Sequence, residues 1–281
     1  MRINDLKETS QAPGTLNLSK QFIYNIFWLS GREREKSGRI SLSYYRGNKN
    51  LKTTITVKGN PVPFWGDAKV LLALMFLAQT TESPEVRVSY LKLLKLLGRG
   101  SSRESYSSLK ESLKVLKNTS VHVEVELQSK FRDEIFSFST AYSLIDEVCW
   151  PKERTSPLVV KLNEEFLNKS LGESFSVPIH ALMDSKVKGF YLKLLLLGFY
   201  FFQNNNHFLN IGYVERGGIL DENFCYKWFK EKITFQRLKK AVNALNSMKE
   251  LPYQIKITKG KREGKNKTLI FHKAGDREER P

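Results

Sequence analysis

Between Arg87 and Thr119 the chain reads RVSYLKLLKLLGRGSSRESYSSLKESLKVLKNT. Two apolar-striped segments joined by a glycine–serine turn restrict the available folds more than any other stretch. Leu91, Leu93, Leu94, Leu96 and Leu97 recur at helical spacing and predict a short helix over Tyr90–Leu97 with a wide apolar face. Gly98 and Gly100 stop it. Ser101 and Ser102 then offer side-chain oxygens to the free N–H groups of a second helix. In that helix Tyr106, Leu109, Leu113 and Leu116 form the buried stripe, while Glu104, Ser107, Glu111 and Lys114 point outward.

VHVEVEL and IFSFSTAYSLI follow, each alternating apolar with polar residues around a charged turn near Lys130 to Glu134. This predicts strand, turn and strand. Two helices followed by a β-hairpin is the element order of a winged helix, whose second helix enters the DNA major groove. Any small α+β domain using the same order would give the same pattern.

A length of 281 residues predicts two domains, each with its own core. The expected division is a flexible tail over 1–20, an N-terminal winged-helix domain over 21–150, a C-terminal one over 151–275 and a charged tail over 276–281. WPKERTSP, with two prolines and three charges, marks the boundary. The overall expectation is an α+β chain of two tandem winged helices.

The net charge of +17 and pI near 9.7 favour a polyanionic partner, nucleic acid before an anionic membrane. Cys149 and Cys225 both neighbour aromatic residues, which predicts two core thiols, no disulfide framework and a cytoplasmic location. The N-terminus lacks a signal pattern. The apolar run FYLKLLLLGFYFF, interrupted by Lys193 and Gly198, is too short for a membrane span and predicts a buried helix.

Elsewhere, Phe22–Leu29 reads as a docking segment, and ISLSYY and LKTTITV as a hairpin about RGNKN. Val70, Leu71, Leu74 and Leu77 predict one face of a helix with Asp67 near its N-cap. In the second half, LVVKL reads as a strand, NEEFLNKSL as a short helix and 186–204 as the long buried helix. Helices over 221–230 and 234–249 then precede the strands YQIKIT and KTLIFHK. The element order of the first half recurs, without a residue-level repeat.

Over 234–249, Leu238, Ala241, Val242, Leu245 and Met248 share one face, opposite Gln236, Lys240, Asn243 and Ser247, with Arg237 and Lys239 on the flanks. Gln and Asn can pair bidentately with adenine, and Arg or Lys with guanine. Gln236, Arg237, Lys240, Asn243 and Ser247 are therefore the candidates for base readout, although an ordinary solvated face would look similar. The following turn, KGKREGKNK, carries Lys259, Lys261, Arg262, Lys265 and Lys267 against Glu263 alone, which suits phosphate contact. Lys239 joins these, as do Ser101, Ser102, Arg103, Ser107 and Lys114 in the first helix pair. Fourteen Lys or Arg against three Glu between Lys227 and Lys273 predict that the second half dominates affinity.

The chain resembles plasmid replication initiators of the replication initiator A type. The resemblance rests on the order of ITVKGNPVPFWGDAKVLLALMFLA, VRVSYLKLLKLLG, YSSLKESLKVLKNTSVHVEV, FSFSTAYSLIDEV, VVKLNEEFLNKSL, KVKGFYLKLLLLGFYFF and FQRLKKAVNALNSM, roughly from Phe22 to Lys273. It implies monomers bound to repeated double-stranded origin sites, opening of adjacent AT-rich duplex, and recruitment of the host initiator and replicative helicase. It further implies homodimers that repress their own gene. Carried onto this sequence, it makes Ser102–Lys117 and Thr234–Lys249 the helices that face DNA.

No enzyme is expected. His122, His180, His207 and His272 are scattered, without the His-x-His pair of a nicking initiator, and read as strand or loop residues. GNKNLKT and GKREGKNKT lack the glycine–lysine order of a phosphate-cradling loop. Asp133 with Glu134, and Glu164 with Glu165, read as solvated charges. No metal or cofactor is expected. A transcriptional regulator without initiator activity, or less readily a basic RNA-binding or membrane-surface protein, would account for the same charge.

Overall fold

The structure is a computed structural model that describes residues 14–19, 38–46, 51–128, 135–151, 156–168, 174–203, 208–213, 220, 225, 232–248, 250–259 and 266–274. The first strands are β1 (Thr15–Ser19), β2 (Gly38–Arg46) and β3 (Leu51–Gly59). Helix α1 (Trp65–Thr81) leads into β4 (Glu85–Val88), the helix pair α2 (Tyr90–Leu96) and α3 (Arg103–Lys117), and strands β5 (Ser120–Gln128), β6 (Ile135–Ser143) and β7 (Ile145–Cys149). The second half has β8 (Leu158–Leu162), α4 (Glu164–Asn168), β9 (Ser174–Pro178), α5 (Ile179–Met183), α6 (Phe190–Gln203), β10 (Phe208–Tyr213), α7 (Phe235–Asn246), β11 (Tyr253–Lys259) and β12 (Asn266–Lys273). The expected docking segment 22–29, the helix over 221–230 apart from Cys225, the turn at 130–134 and the tail 276–281 lie outside the described residues.

The two ends of the α2–α3 turn form as their residues dictate. Gly98 takes φ +65°, and the N–H groups of Gly98 and Arg99 bond the carbonyls of Lys95 and Leu94 at 3.0 and 2.9 Å. This closes α2 with the left-handed residue that glycine adopts without a Cβ penalty. Ser102 Oγ then accepts the Ser105 N–H at 3.2 Å and starts α3.

Helix α1 is buried on every side from Gly66 to Met75, so it is a central helix rather than the one-faced helix expected. Its N-cap is Phe64, and Asp67 sits three residues in, where Oδ2 accepts the Phe64 N–H at 3.1 Å.

Among the described residues the strands make four antiparallel sheets: β1-β9, β4-β8-β7, β2-β3-β5-β6 and β10-β12-β11. Two pairings depart from the expected domain plan. Residues 15–19, expected in a mobile tail, pair with β9 because Leu16 and Leu18 are fully buried and the Gln79 side chain of α1 bonds both the N–H and the carbonyl of Asn17, at 2.9 and 2.7 Å. Strand β8, beyond the expected boundary at 150–157, lies between β4 and β7 of the first half. Its buried Leu158, Val160 and Leu162 need that cover, and sheet hydrogen bonds therefore cross the boundary. Cys225 is buried, but Cys149 is exposed at the end of β7, where its thiol donates to Glu147 Oε1 at 3.1 Å; the core assignment of Cys149 is corrected.

Helix α6 is the core of the second half, with Leu192 to Leu197 all buried. Tyr253 of β11 is fully buried against it and donates its hydroxyl to the Leu195 carbonyl at 3.0 Å, with burial pushing the phenol pKa up. Gly198 makes room for this ring: a Cβ there would overlap the Tyr253 ring and hydroxyl. Gly198→Ala is accordingly expected to destabilise the chain by about 1–3 kcal/mol, the usual penalty for overpacking a filled core. A chemical denaturation midpoint unchanged from wild type would contradict this packing.

Candidate functional site

Helix α7 carries the surface with the most concentrated candidate chemistry. Thr234 caps it, Oγ1 accepting the Arg237 N–H at 3.2 Å, and its first turn has no acidic residue. Leu238, Ala241, Val242 and Leu245 are buried, which turns Gln236, Lys239, Lys240, Asn243 and Ser247 outward as exposed residues. Ser247 differs in detail, since its hydroxyl already donates to the Ala244 carbonyl at 2.7 Å and is left with acceptor capacity only. Arg237 is half-buried, its guanidinium 5.2 Å from the centre of the Phe190 ring.

Two contacts join this helix to the hairpin. The Asn246 amide bonds both backbone groups of Ile255 in β11, donating to its carbonyl at 2.9 Å and accepting its N–H at 2.8 Å. At the other end of α7, Phe235 lies between two cations, Lys239 Nζ at 4.7 Å and Lys267 Nζ of β12 at 4.8 Å. The structure thus brings one hairpin lysine to the start of the helix. Lys259 stands opposite Lys267 in the strand register, while Lys261, Arg262 and Lys265 lie outside the described residues. The clasp by Asn246 and the ring of Phe235 had no part in the sequence reading of this helix, which singled out neither position.

A cleft of about 520 Å³ opens beside α7, lined in part by Trp65, Lys186, Lys188, Gln236, Arg237 and Lys240. Lys188 Nζ lies 5.8 Å from the centre of a Trp65 ring. Trp65, Lys186 and Lys188 were not among the sequence candidates. Their only signal was a pair of lysines before the buried helix, which without the fold has no relation to α7.

The first helix pair presents a different surface. Ser101, Ser102, Arg103, Ser107 and Lys114 are all exposed, and a groove of about 540 Å³ is lined by Arg103, Glu104, Ser107, Ser108 and Glu111. Glu104 occupies the first turn of α3, where hydrogen bonds from its own backbone N–H and from the Ser102 hydroxyl hold its carboxyl below the usual carboxylate range. The positive end of α3 is therefore met by an anion of its own first turn, whereas the first turn of α7 has none.

Of the histidines, His122 lies in β5 beside Ser120, and His180 lies in the short helix α5, facing Glu250, rather than in a strand or loop. Among the described residues no group of three or more His, Cys, Asp or Glu side chains could hold a metal ion, and no helix is long and apolar enough to cross a membrane.

The fold is similar to that of domains 2 and 3 of RctB. A crystal structure of selenomethionine derivatives of those domains matches with a TM-score of 0.61 at 12% identity, covering 90% of this chain and 99% of that one. A second RctB structure of domains 2–3 matches with a TM-score of 0.52 at 13% identity, covering 86% and 93%. At such identities the likeness is one of fold. No curated protein sequence matches the chain. The family model described as "Replication initiator protein A" matches residues 23–181, more than half of the sequence, and the chain belongs to that family. The match ends before α6 and α7.

Near the cleft, Lys69 of α1 donates Nζ to the Asp184 carbonyl at 2.7 Å. Burial lowers its pKa to about 8, opposed by the Asp184 charge and assisted by Arg99 and Lys188. Between that value and the unfolded lysine value of roughly 10.4 the folded chain binds fewer protons than the unfolded one, so this group makes stability rise with pH. Lys69→Met lacks the effect. Denaturation midpoints measured from pH 7 to 10 should therefore shift in favour of the wild type, and parallel curves would refute the assignment.

Proposed function

We propose that this protein is a plasmid replication initiator that binds repeated double-stranded origin sites in a sequence-specific manner, through two tandem winged-helix units. The observation that carries the reading is the outward face of α7, with Gln236, Lys240 and Asn243 exposed and Lys267 of the hairpin held at the helix start by Phe235. A helix with amide and cationic groups on one face suits the donor and acceptor code of the major groove. The hairpin lysines suit the phosphates on either side, which set position and salt dependence but not sequence. In this reading α3 has the equivalent position in the first unit, and Glu104 and Glu111 make it the weaker contributor. The protein performs no catalytic step, requires no cofactor and acts in the cytoplasm. It hands the opened origin to the host initiator and replicative helicase, and its dimers serve autoregulation.

Selection of bound fragments from a random duplex library, at low and at physiological salt, tests the reading. The expected result is a motif retained at the higher salt. On the selected site Asn243→Ala should lose about tenfold or more in affinity with little change on random duplex, as for loss of a bidentate base contact. Lys267→Ser should weaken both duplexes alike and reduce the log–log salt slope by about 0.9. Equal losses of Asn243→Ala on selected and random duplex would remove α7 as the reading helix.

A further inference from the structure

We propose that the cleft between Trp65, the turn carrying Lys186 and Lys188, and the start of α7 receives the phosphate backbone of the DNA strand that flanks the base pairs read by α7. The inference rests on the duplex-binding function proposed above and adds a site on residues from both halves of the chain.

The described charges of the cleft have one sign. Lys186, Lys188, Arg237 and Lys240 line it, and among the described lining residues there is no carboxylate. Asp184, two residues before Lys186, is turned away into the loop, with Oδ1 accepting the Lys186 N–H at 2.7 Å. The N-terminal ends of α6 and α7 meet at this place through Phe190 and Thr234, with no acidic residue in either first turn, and their dipoles add to the same positive field, whereas the end of α1 at Trp65 is met by its own Asp67. The three exposed lysines facing one cavity repel one another, and an anion relieves that cost.

The cations are also positioned for exchange. Lys186, Lys188 and Lys240 are exposed, so their ammonium groups stay hydrated in the free chain. The Trp65 ring beneath Lys188 and the Phe190 ring beneath Arg237 restrict two of the four side chains. A cation–π contact at a hydrated site is weaker than a charge-assisted bond to phosphate, so the cation can transfer to a phosphate oxygen. Gly189, at φ +50°, turns the backbone sharply between Lys188 and the first residue of α6, and so keeps Lys188 at the cleft wall.

The position of the cleft identifies the anion. Gln236 and Lys240 both line it and both belong to the outward face of α7. A helix laid in the major groove by that face brings the strand bordering the groove to the cleft mouth. Trp65 comes from the first half, so one stretch of backbone would hold the two halves together on the duplex.

The test uses the full chain and the selected duplex, comparing wild type with Lys186→Ser/Lys188→Ser and with the length-preserving Lys186→Gln/Lys188→Gln. Thermal midpoints serve as the folding control. Both double variants should bind about tenfold more weakly at low salt, with a log–log salt slope shallower by about 1.8, as for two lost phosphate contacts, and with sequence preference retained. Duplex addition should change tryptophan emission in the wild type, and Trp65→Phe should remove most of that change. Wild-type affinity and slope in both double variants, with Asn243→Ala still losing preference, would overturn the cleft while leaving the reading helix intact. A wild type that binds no duplex would overturn both. ATP binding that the double variants lose, with duplex binding untouched, would make the cleft a free-nucleotide site and overturn the backbone assignment.

Discussion

The seating of Tyr253 on α6 is the contact on which the second half depends. A buried phenol must satisfy its hydroxyl, and here the partner is a helix carbonyl that becomes reachable only because residue 198 has no side chain. Phe199, Phe202 and Phe271 surround the ring at centroid distances of 5.2 to 5.9 Å, so β11 and β12 are locked to the helix together. From β11 the Asn246 clasp fixes the end of α7, and from β12 Lys267 reaches the ring of Phe235 at its start. A core contact thereby sets the position of surface cations.

The two halves use similar element orders with different electrostatics. Helix α3 begins with Glu104, whose carboxylate is stabilised in place by its own N–H and by Ser102, and Glu111 extends that acidity along the groove. Helix α7 begins with Thr234 and Phe235, has no acidic residue in its first turn, and among the described residues of the adjoining cleft meets cations and no carboxylate. Since the positive end of a helix favours an anion within its first turn, the first pair satisfies that preference internally and the second leaves it open. The proposed division of labour, with the second half supplying most of the affinity for DNA, follows from this difference.

Much of the local structure was legible because periodicity and turn chemistry act over a few residues. The α2–α3 turn at Gly98 and Ser102, the buried stripe of α7 and the alternating strands β5, β6, β11 and β12 all form where their residues predict. Two of the failures share one cause, which is distance along the chain, and the third is local. Leu16 and Leu18 alternate over only five residues, too few to identify a strand until β9 and α1 cover them. Strand β8 was recognised, but a short apolar run does not name its neighbours, and these turn out to be β4 and β7. Cys149 read as buried beside Trp150, yet the pleat directs its thiol to solvent and to Glu147.

For the candidate site, the sequence by itself determined which residues of α7 face outward, because the buried stripe at 3.6-residue spacing leaves only one other side. It also determined the positive sign of the second half, since charge is carried by residue identity and does not depend on the fold. Only the tertiary structure decided which cations act together. Trp65, Lys188 and Arg237 are far apart in sequence, and their convergence depends on how α1, α6 and α7 pack. Packing also turned Arg237 from an outward flank onto Phe190, where side-chain contact outweighs helical position. Periodicity specifies the face of an element, whereas juxtaposition requires the long-range contacts that bury those faces.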